Sequence, residues 1–156
     1  MHFPLFIDIS KKNILIVGGG KVADRRVHTL LSFTEHITVV SPAFTDGLVS
    51  LAQSGQILLL KRYFEPEDLT GQDIVLAATD DIDLNKKIST LCREQGIPVN
   101  ISNDQTLCDF QFPSIVTDGE IVIGINASGG NHRRVAETRQ KLDELWNQII
   151  TAPPTP

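Results

Sequence analysis

The stretch Asn13-Ile-Leu-Ile-Val-Gly-Gly-Gly-Lys-Val-Ala23 decides the fold. Its apolar residues run straight into three consecutive glycines and then into a helical pattern, the order strand, tight turn, helix. Gly18, Gly20 and Ala23 occupy the three diagnostic positions of the G-x-G-x-x-A fingerprint. Gly18 permits the tight turn, Gly20 lets backbone N–H groups approach a pyrophosphate, and Ala23 lets the helix pack close to the sheet. The helix that follows turns its partial positive end toward a ligand. A dinucleotide's pyrophosphate is therefore expected over Gly18, Gly19, Gly20, Lys21 and Val22. The charge of Lys21 either adds to this or is simply solvated. The plain alternative for the whole stretch is a strand-to-helix turn with no ligand.

Working outward, strand-like and helix-like segments alternate with short connections, which predicts a parallel sheet covered by helices. Val22, Val27, Leu30 and Leu31 mark a helix over 21–32, and Ile37 to Val40 a second strand ended by Ser41-Pro42. Phe44, Leu48, Leu51 and Ala52 mark a second helix that Gly55 stops, followed by a third strand over 57–60. Pro66 and its acidic neighbours forbid a buried strand over 64–69, leaving a loop or a single turn. A near-continuous apolar strand over 73–78, a helix over 81–95 stopped by Gly96, and a fifth strand over 98–102 complete the pattern.

Beyond residue 112 the rhythm changes. Asp118-Gly119 is a hairpin signal between strands over 114–118 and 120–126, although the turn is free to shift by a residue or two. Ser128-Gly129-Gly130 is a second glycine turn, and Leu142, Leu145, Trp146 and Ile149 form one stripe of a last helix over 135–150. The tail Thr151 to Pro156 is expected to be disordered. The expectation is thus an α/β, Rossmann-type doubly wound parallel sheet over residues 1–112, a β-ribbon and helix extension over 113–150, and a tail over 151–156. An apolar ribbon outside the sheet domain suggests a contact between subunits.

Composition narrows the function class. With 14 Lys and Arg against 19 Asp and Glu, the formal charge of −5 gives no broad attraction to nucleic acid or to an anionic membrane. An anionic small molecule needs a local basic patch. No apolar run reaches the roughly 18 residues of a membrane span, and the start Met-His-Phe-Pro-Leu-Phe lacks a charged leader pattern. A soluble, cytoplasmic chain is expected. Cys92 and Cys108 have no C-x-x-C spacing, and none of His2, His28, His36 and His132 has partners at metal spacing, so reduced thiols and no metal site are expected.

Phe3-Pro-Leu-Phe6, Val17-Gly-Gly-Gly-Lys-Val-Ala-Asp-Arg25, Ala77-Ala-Thr-Asp-Asp81, Val99-Asn100, Leu107-Cys-Asp-Phe110, Phe112-Pro-Ser-Ile115 and Ser128-Gly-Gly130 come in this order. Together they resemble the precorrin-2 dehydrogenase / sirohydrochlorin ferrochelatase family, the siroheme-synthase N-terminal module. The resemblance runs from residue 3 to about residue 145. It implies NAD-dependent oxidation of precorrin-2 to sirohydrochlorin, a step toward siroheme or cobalamin, with iron insertion in some members and a homodimer joined through ribbon and C-terminal helices.

The candidate site residues follow from both readings. After the second strand, where dinucleotide folds often carry an acid for the ribose, stands Ser41; Ser41, Pro42 and Ala43 are the expected adenosine contacts, and the preference for NAD is what the resemblance implies. Thr79 and Asp80 end the fourth strand at the carboxyl edge where open sheets bind ligands, with an N-cap role for Asp80 or Asp81 as the alternative. In the family an Asp follows the fifth strand, five residues before the Cys of Cys-Asp-Phe, and assists dehydrogenation and chelation; here that position is Asn103. An amide cannot take a proton as a carboxylate does. Either Asp104 supplies the carboxylate through a one-residue shift of the loop, or it is a solvated turn residue. Asn100 and Ser128 are the expected substrate contacts, Ser128 with a plain turn or cap as its alternative. His132-Arg133-Arg134 offers either cations for the tetrapyrrole's carboxylates or a solvated helix start.

A second function class stays open beside the enzyme. Asn103, and an end after one extension helix where family members usually continue, favour a non-catalytic module holding a tetrapyrrole or NAD as carrier or sensor. A different Rossmann oxidoreductase leaves the Leu-Cys-Asp-Phe and Phe-Pro runs unexplained.

Overall fold

Ile14–Val17 (β1) is apolar at every position and buried throughout, as a strand covered on both faces must be. In the computed structural model, which describes residues 2–128 and 130–150 with the side chains of 147–150 excepted, β1 is the centre of a five-stranded parallel sheet. It pairs with Ile37–Val40 (β2) on one side and Ile74–Ala77 (β4) on the other. Leu58–Leu60 (β3) lies outside β2 and Val99–Ile101 (β5) outside β4, so the order is β3-β2-β1-β4-β5. The strands are those expected: β2 keeps its expected bounds, while β3, β4 and β5 are trimmed at their ends, β3 starting at Leu58 rather than Ile57.

Three helices cross between these strands: Lys21–Leu30 (α1), Asp46–Gln53 (α2) and Ile82–Gln95 (α3). The chain steps from β1 to β2 to β3 in one direction and from β4 to β5 in the other. Because such crossovers are right-handed, α1 and α2 cover one face and α3 the other, as a doubly wound sheet requires. Packing agrees. Leu15, Val17, Val75, Ala77, Val99 and Ile101 share one buried cluster with Ile88 and Cys92 of α3 and with Leu69. Each Val, Leu or Ile side chain among them contributes about 1.5–3 kcal/mol on removal from water. Alternate residues Ile14, Ile16 and Leu76 turn to the opposite face.

Local chemistry sets the helix ends. Thr45 accepts the amide of Leu48, so α2 begins at Asp46 and the expected helical residue Phe44 lies in the preceding loop. Asp81 caps α3 by accepting the amide of Leu84 at 2.9 Å, and Gly96 ends it in the left-handed conformation, φ +68°. The proline-bearing stretch expected to be loop or turn is a single 3-10 turn, Pro66–Leu69.

The chain divides into two units, Ile7–Gln111 and a second of Met1–Phe6 with Phe112–Pro156. Residues 2–6, expected with the nucleotide domain, therefore group with the ribbon: the amide of His2 donates to Ser128 Oγ at 3.0 Å. In this second unit Ser114–Thr117 (β6) pairs antiparallel with Val122–Ile125 (β7), Thr117 opposite Val122. The turn at Asp118-Gly119 is thus a longer loop over 118–121, because Asp118 Oδ1 accepts the amides of both Glu120 and Ile121 and draws them out of the ladder. The last helix, His132–Ile150 (α4), starts three residues before the expected Val135, because Asn131 Oδ1 caps it by accepting the amide of Arg134. Leu142 and Trp146 are half-buried, whereas Leu145 is exposed and leaves the expected stripe. The readings of Gly129, of the Ile149 side chain and of the tail over 151–156 lie outside the described residues.

Candidate functional site

The order of the strands reverses between β1 and β4, so the crevice of the sheet opens at their carboxyl ends. Gly18 leaves β1 there with φ +118°, and a Cβ on it would overlap the carbonyl oxygen of Ala78. Gly19 is more confined: a Cβ would overlap the Ala43 carbonyl oxygen and come within 2.8 Å of Phe44 Cδ1. Its own carbonyl accepts the amide of Thr45 at 3.0 Å. Gly20 is the opposite case, exposed, with no atom within 4 Å of where a Cβ would stand. The first two glycines are therefore required by the fold, and the third keeps a space clear.

That space lies over the start of α1. Gly20 is the N-cap, in extended conformation, and supplies no side-chain acceptor, so the amides of the first turn have no side-chain partner. Ala23 is fully buried against the sheet, while Lys21 and Val22 are exposed at the opening. Unpartnered amides, a positive helix end and a cleared approach fit a dinucleotide's diphosphate. Ser41, whose amide donates to the Leu60 carbonyl at 3.1 Å, is half-buried; Pro42 and Ala43 are exposed, and the Ala43 carbonyl packs on Gly19. The loop over 41–43 is thereby fixed beside the glycine turn.

At the ends of β4 and β5 the structure separates residues that the sequence left open. Of the two carboxylates, Asp81 is the cap of α3 and Asp80 is exposed with no capping role. The Thr79 hydroxyl turns inward, 2.7 Å from Asn85 Oδ1. Asp104 Oδ1 accepts the amide of Thr106 at 2.9 Å and its hydroxyl at 2.6 Å, capping the short turn Gln105–Leu107. The Thr106 hydroxyl and amide, with Lys86 nearby, hold the Asp104 carboxyl below its ordinary value. It is an ionised carboxylate with one oxygen engaged locally, a weak base. Asn103 is exposed, and its Oδ1 accepts from Asn85 Nδ2 at 3.1 Å.

Asn100, expected as a substrate contact, is only 3% exposed. Its Nδ2 donates to the Phe110 carbonyl at 2.8 Å, which places it inside the fold as a brace for the following loop. The whole Cys-Asp-Phe run does this kind of work. Asp109 Oδ2 accepts the amide of Val99, and Cys108 Sγ accepts the amide of Ile101 at 3.1 Å, so the outer edge of β5 is satisfied without a sixth strand. Ser128, in the second unit, is exposed and lines a groove of about 390 Å³ with Asn126, Asn131 and Arg134. His132, Arg133 and Arg134 are the exposed first turn of α4, and Arg133 pairs with Glu137 at 2.8 Å.

Two positions escaped the sequence reading. Asp24 of α1 accepts from the Thr45 hydroxyl at 2.6 Å and lies 3.2 Å from His28 Nε2, tying α1 to the cap of α2. Asn85 of α3 is 1% exposed and bonds to residues at the ends of both β4 and β5. Its signal was a polar side chain on the buried stripe Asn85, Ile88, Ser89, Cys92. Among the described residues no three His, Cys, Asp or Glu side chains gather as metal ligands, and no helix is long and apolar enough to cross a membrane.

Comparison with known proteins agrees with this geometry. The family model described as "Putative NAD(P)-binding" matches residues 5–114. The siroheme synthase of Pseudoalteromonas atlantica is 39% identical over 150 residues, 96% of this chain and 32% of that protein. That of Nitrosomonas eutropha is 37% identical over 145 residues, 92% of this chain and 30% of that protein. The chain thus spans about a third of the length of these curated relatives. The structure of SirC, a precorrin-2 dehydrogenase, superposes with TM-score 0.77 at 24% identity over 92% of this chain and 70% of that one. The apo structure of Escherichia coli D-lactate dehydrogenase gives TM-score 0.50 at 13% identity over 66% and 32%. Both structures share the fold.

Proposed function

The chain belongs to this NAD(P)-binding family, and on that premise we propose that it dehydrogenates precorrin-2 to sirohydrochlorin with NAD, in siroheme or cobalamin-type tetrapyrrole biosynthesis in the cytoplasm. The observation that carries the proposal is the uncapped start of α1 beneath Gly20. The siroheme synthases that align over nearly the whole chain support the choice of substrate.

In this reading the amides after Gly18, Gly19 and Gly20 and at Lys21 and Val22 hold the diphosphate, and Ser41, Pro42 and Ala43 contact the adenosine. Thr79 and Asp80 flank the nicotinamide end through backbone and carboxylate. NAD when bound accepts a hydride from the substrate, and the accompanying proton is released to water or to a carboxylate. Asp104 is the carboxylate available on the loop after β5, and Asn103 beside it orients a ligand group without taking a proton. Ser128 is proposed as a further tetrapyrrole contact. Phe3, 88% exposed, with exposed Leu5, Phe6, Ile121 and Leu145 of the same unit, supports pairing of that unit with a second copy in a homodimer.

Mixing protein, precorrin-2 and NAD is expected to produce NADH absorbance together with the sirohydrochlorin spectrum, and adding ferrous iron to the product reads any chelatase step. No turnover by a folded protein that binds NAD defeats the dehydrogenase reading.

Asn103, with Asp104 held as a weak base, favours a second reading, a carrier or sensor that binds tetrapyrrole or NAD without chemistry. Tight tetrapyrrole binding without NAD reduction supports it, and turnover appearing in Asn103→Asp alone marks an enzyme that has lost its base.

A further inference from the structure

One buried amide on α3 decides which way Asn103 points. Asn85 Nδ2 lies 2.9 Å from the Thr79 carbonyl oxygen and 3.1 Å from the side-chain amide of Asn103, and Asn85 Oδ1 lies 2.7 Å from the Thr79 hydroxyl. A backbone carbonyl has no proton to give. The Asn85 atom that faces Thr79 O is therefore its nitrogen, since the reverse assignment would set two acceptor oxygens against each other. That nitrogen has a second proton, which points at Asn103, so the Asn103 atom facing it is the oxygen. The Asn103 NH2 group is left turned away from α3. Among the described residues no acceptor bonds to it, and Asn103 is exposed at the carboxyl edge of β5, next to the end of β4.

We propose that Asn103 is a hydrogen-bond donor to the bound ligand, recognising an acceptor oxygen, and that Asn85 is the positioning residue that aims it. The acceptor is the carboxamide oxygen of the nicotinamide or a carboxylate oxygen of the tetrapyrrole; the identity of these ligands rests on the function proposed above, while the donor's direction rests on the Asn85 geometry alone. Residue 103 then takes no proton in any step. A carboxylate there would accept the same Asn85 bond but turn a second acceptor, not a donor, toward the ligand. The charged groups on the elements around it are Asp80 and Asp81 after β4, Asp83, Lys86, Lys87, Arg93 and Glu94 on α3, and Asp104 beside it.

The test is calorimetric titration of the protein and two variants with NAD, with ADP-ribose, which lacks the nicotinamide, and with sirohydrochlorin. Asn103→Ala is expected to weaken NAD or sirohydrochlorin by about 5- to 10-fold, a single lost donor, and to leave ADP-ribose unchanged. Loss toward NAD assigns the acceptor to the carboxamide; loss toward sirohydrochlorin assigns it to the carboxylate. Asn103→Asp is expected to bind the same ligand more weakly than Asn103→Ala at about pH 8, and to recover toward about pH 4, where a protonated acid can donate. Unchanged affinity of Asn103→Ala for both NAD and sirohydrochlorin overturns the proposal, as does tighter binding by Asn103→Asp at the higher pH. Failure of ADP-ribose to bind the unmodified protein defeats the nucleotide reading instead, and the sirohydrochlorin arm then decides the role of Asn103.

Discussion

Asp109 and Val99 hold each other by a reciprocal pair of bonds: Asp109 Oδ2 accepts the amide of Val99 at 3.0 Å, and the amide of Asp109 donates to the Val99 carbonyl at 2.9 Å. Val99 is fully buried, so its N–H has no water to turn to. Asp109→Ala is expected to destabilise the protein by about 1–3 kcal/mol, the cost of a buried donor left unmet. Asp109→Asn keeps the acceptor and is expected to lose much less. Urea unfolding of the two variants side by side checks this; equal losses would show that charge, through the neighbouring Arg93, rather than the bond to Val99, carries the effect.

The three glycines of the turn are expected to respond to alanine in different ways. Gly18→Ala and Gly19→Ala force a Cβ onto carbonyl oxygens of Ala78 and Ala43, and are expected to lower stability by about 1–3 kcal/mol or to prevent folding. Gly20→Ala meets no protein atom and is expected to keep its melting temperature while weakening NAD about tenfold or more. Thermal melts with NAD titration separate the two behaviours. A Gly20→Ala protein that binds NAD as tightly as the parent would mean that the cleared space is not the diphosphate site.

Acid stability is expected to depend on Asp68. The Arg62 guanidinium, bonded to both of its oxygens, and the Glu65 amide hold its carboxyl below its ordinary value of 3.8. A carboxyl whose folded value is depressed contributes stability above the unfolded value and loses it as pH falls through the folded one. Asp68→Asn is therefore expected to be less stable than the parent at neutral pH and to converge with it as pH falls below about 3.8. Urea midpoints measured across that range read the convergence. A constant gap would mean that the ionised state of Asp68 contributes nothing.

Thiol reactivity is expected to report folding. Burial pushes the Cys92 thiol up to about 12, and the half-buried Cys108 thiol is raised by burial too, its sulfur engaged with the backbone of Ile101. Both thiols are expected to react slowly with a disulfide reagent at about pH 8 in the folded protein and fast in urea. Rapid labelling of Cys92 without unfolding would contradict its burial.

Much of the architecture was legible because its signals are local. The all-apolar runs at β1 and β4, the glycine turn after β1 and the stop at Gly96 each depend on residues adjacent in the chain. Where reading by sequence slipped, a side chain had captured the backbone: Asp118 stretched the hairpin loop and Asn131 started α4 early. The candidate site was half legible. Gly20 stood out by motif, whereas the burial of Asn100 and its bond to the Phe110 carbonyl depend on the loop that folds back over β5, and Asn85 gave only the hint of a polar residue on an apolar stripe.

The sequence by itself determined the strands, the helices and the glycine turn between β1 and α1, because hydrophobic period and glycine placement are properties of neighbouring residues. Tertiary structure alone decided that Asp104 caps a turn and that Asn103 turns its NH2 group outward. Asn85 and Asn103 are 18 residues apart, and only the crossing of α3 between β4 and β5 brings one amide within hydrogen-bonding distance of the other.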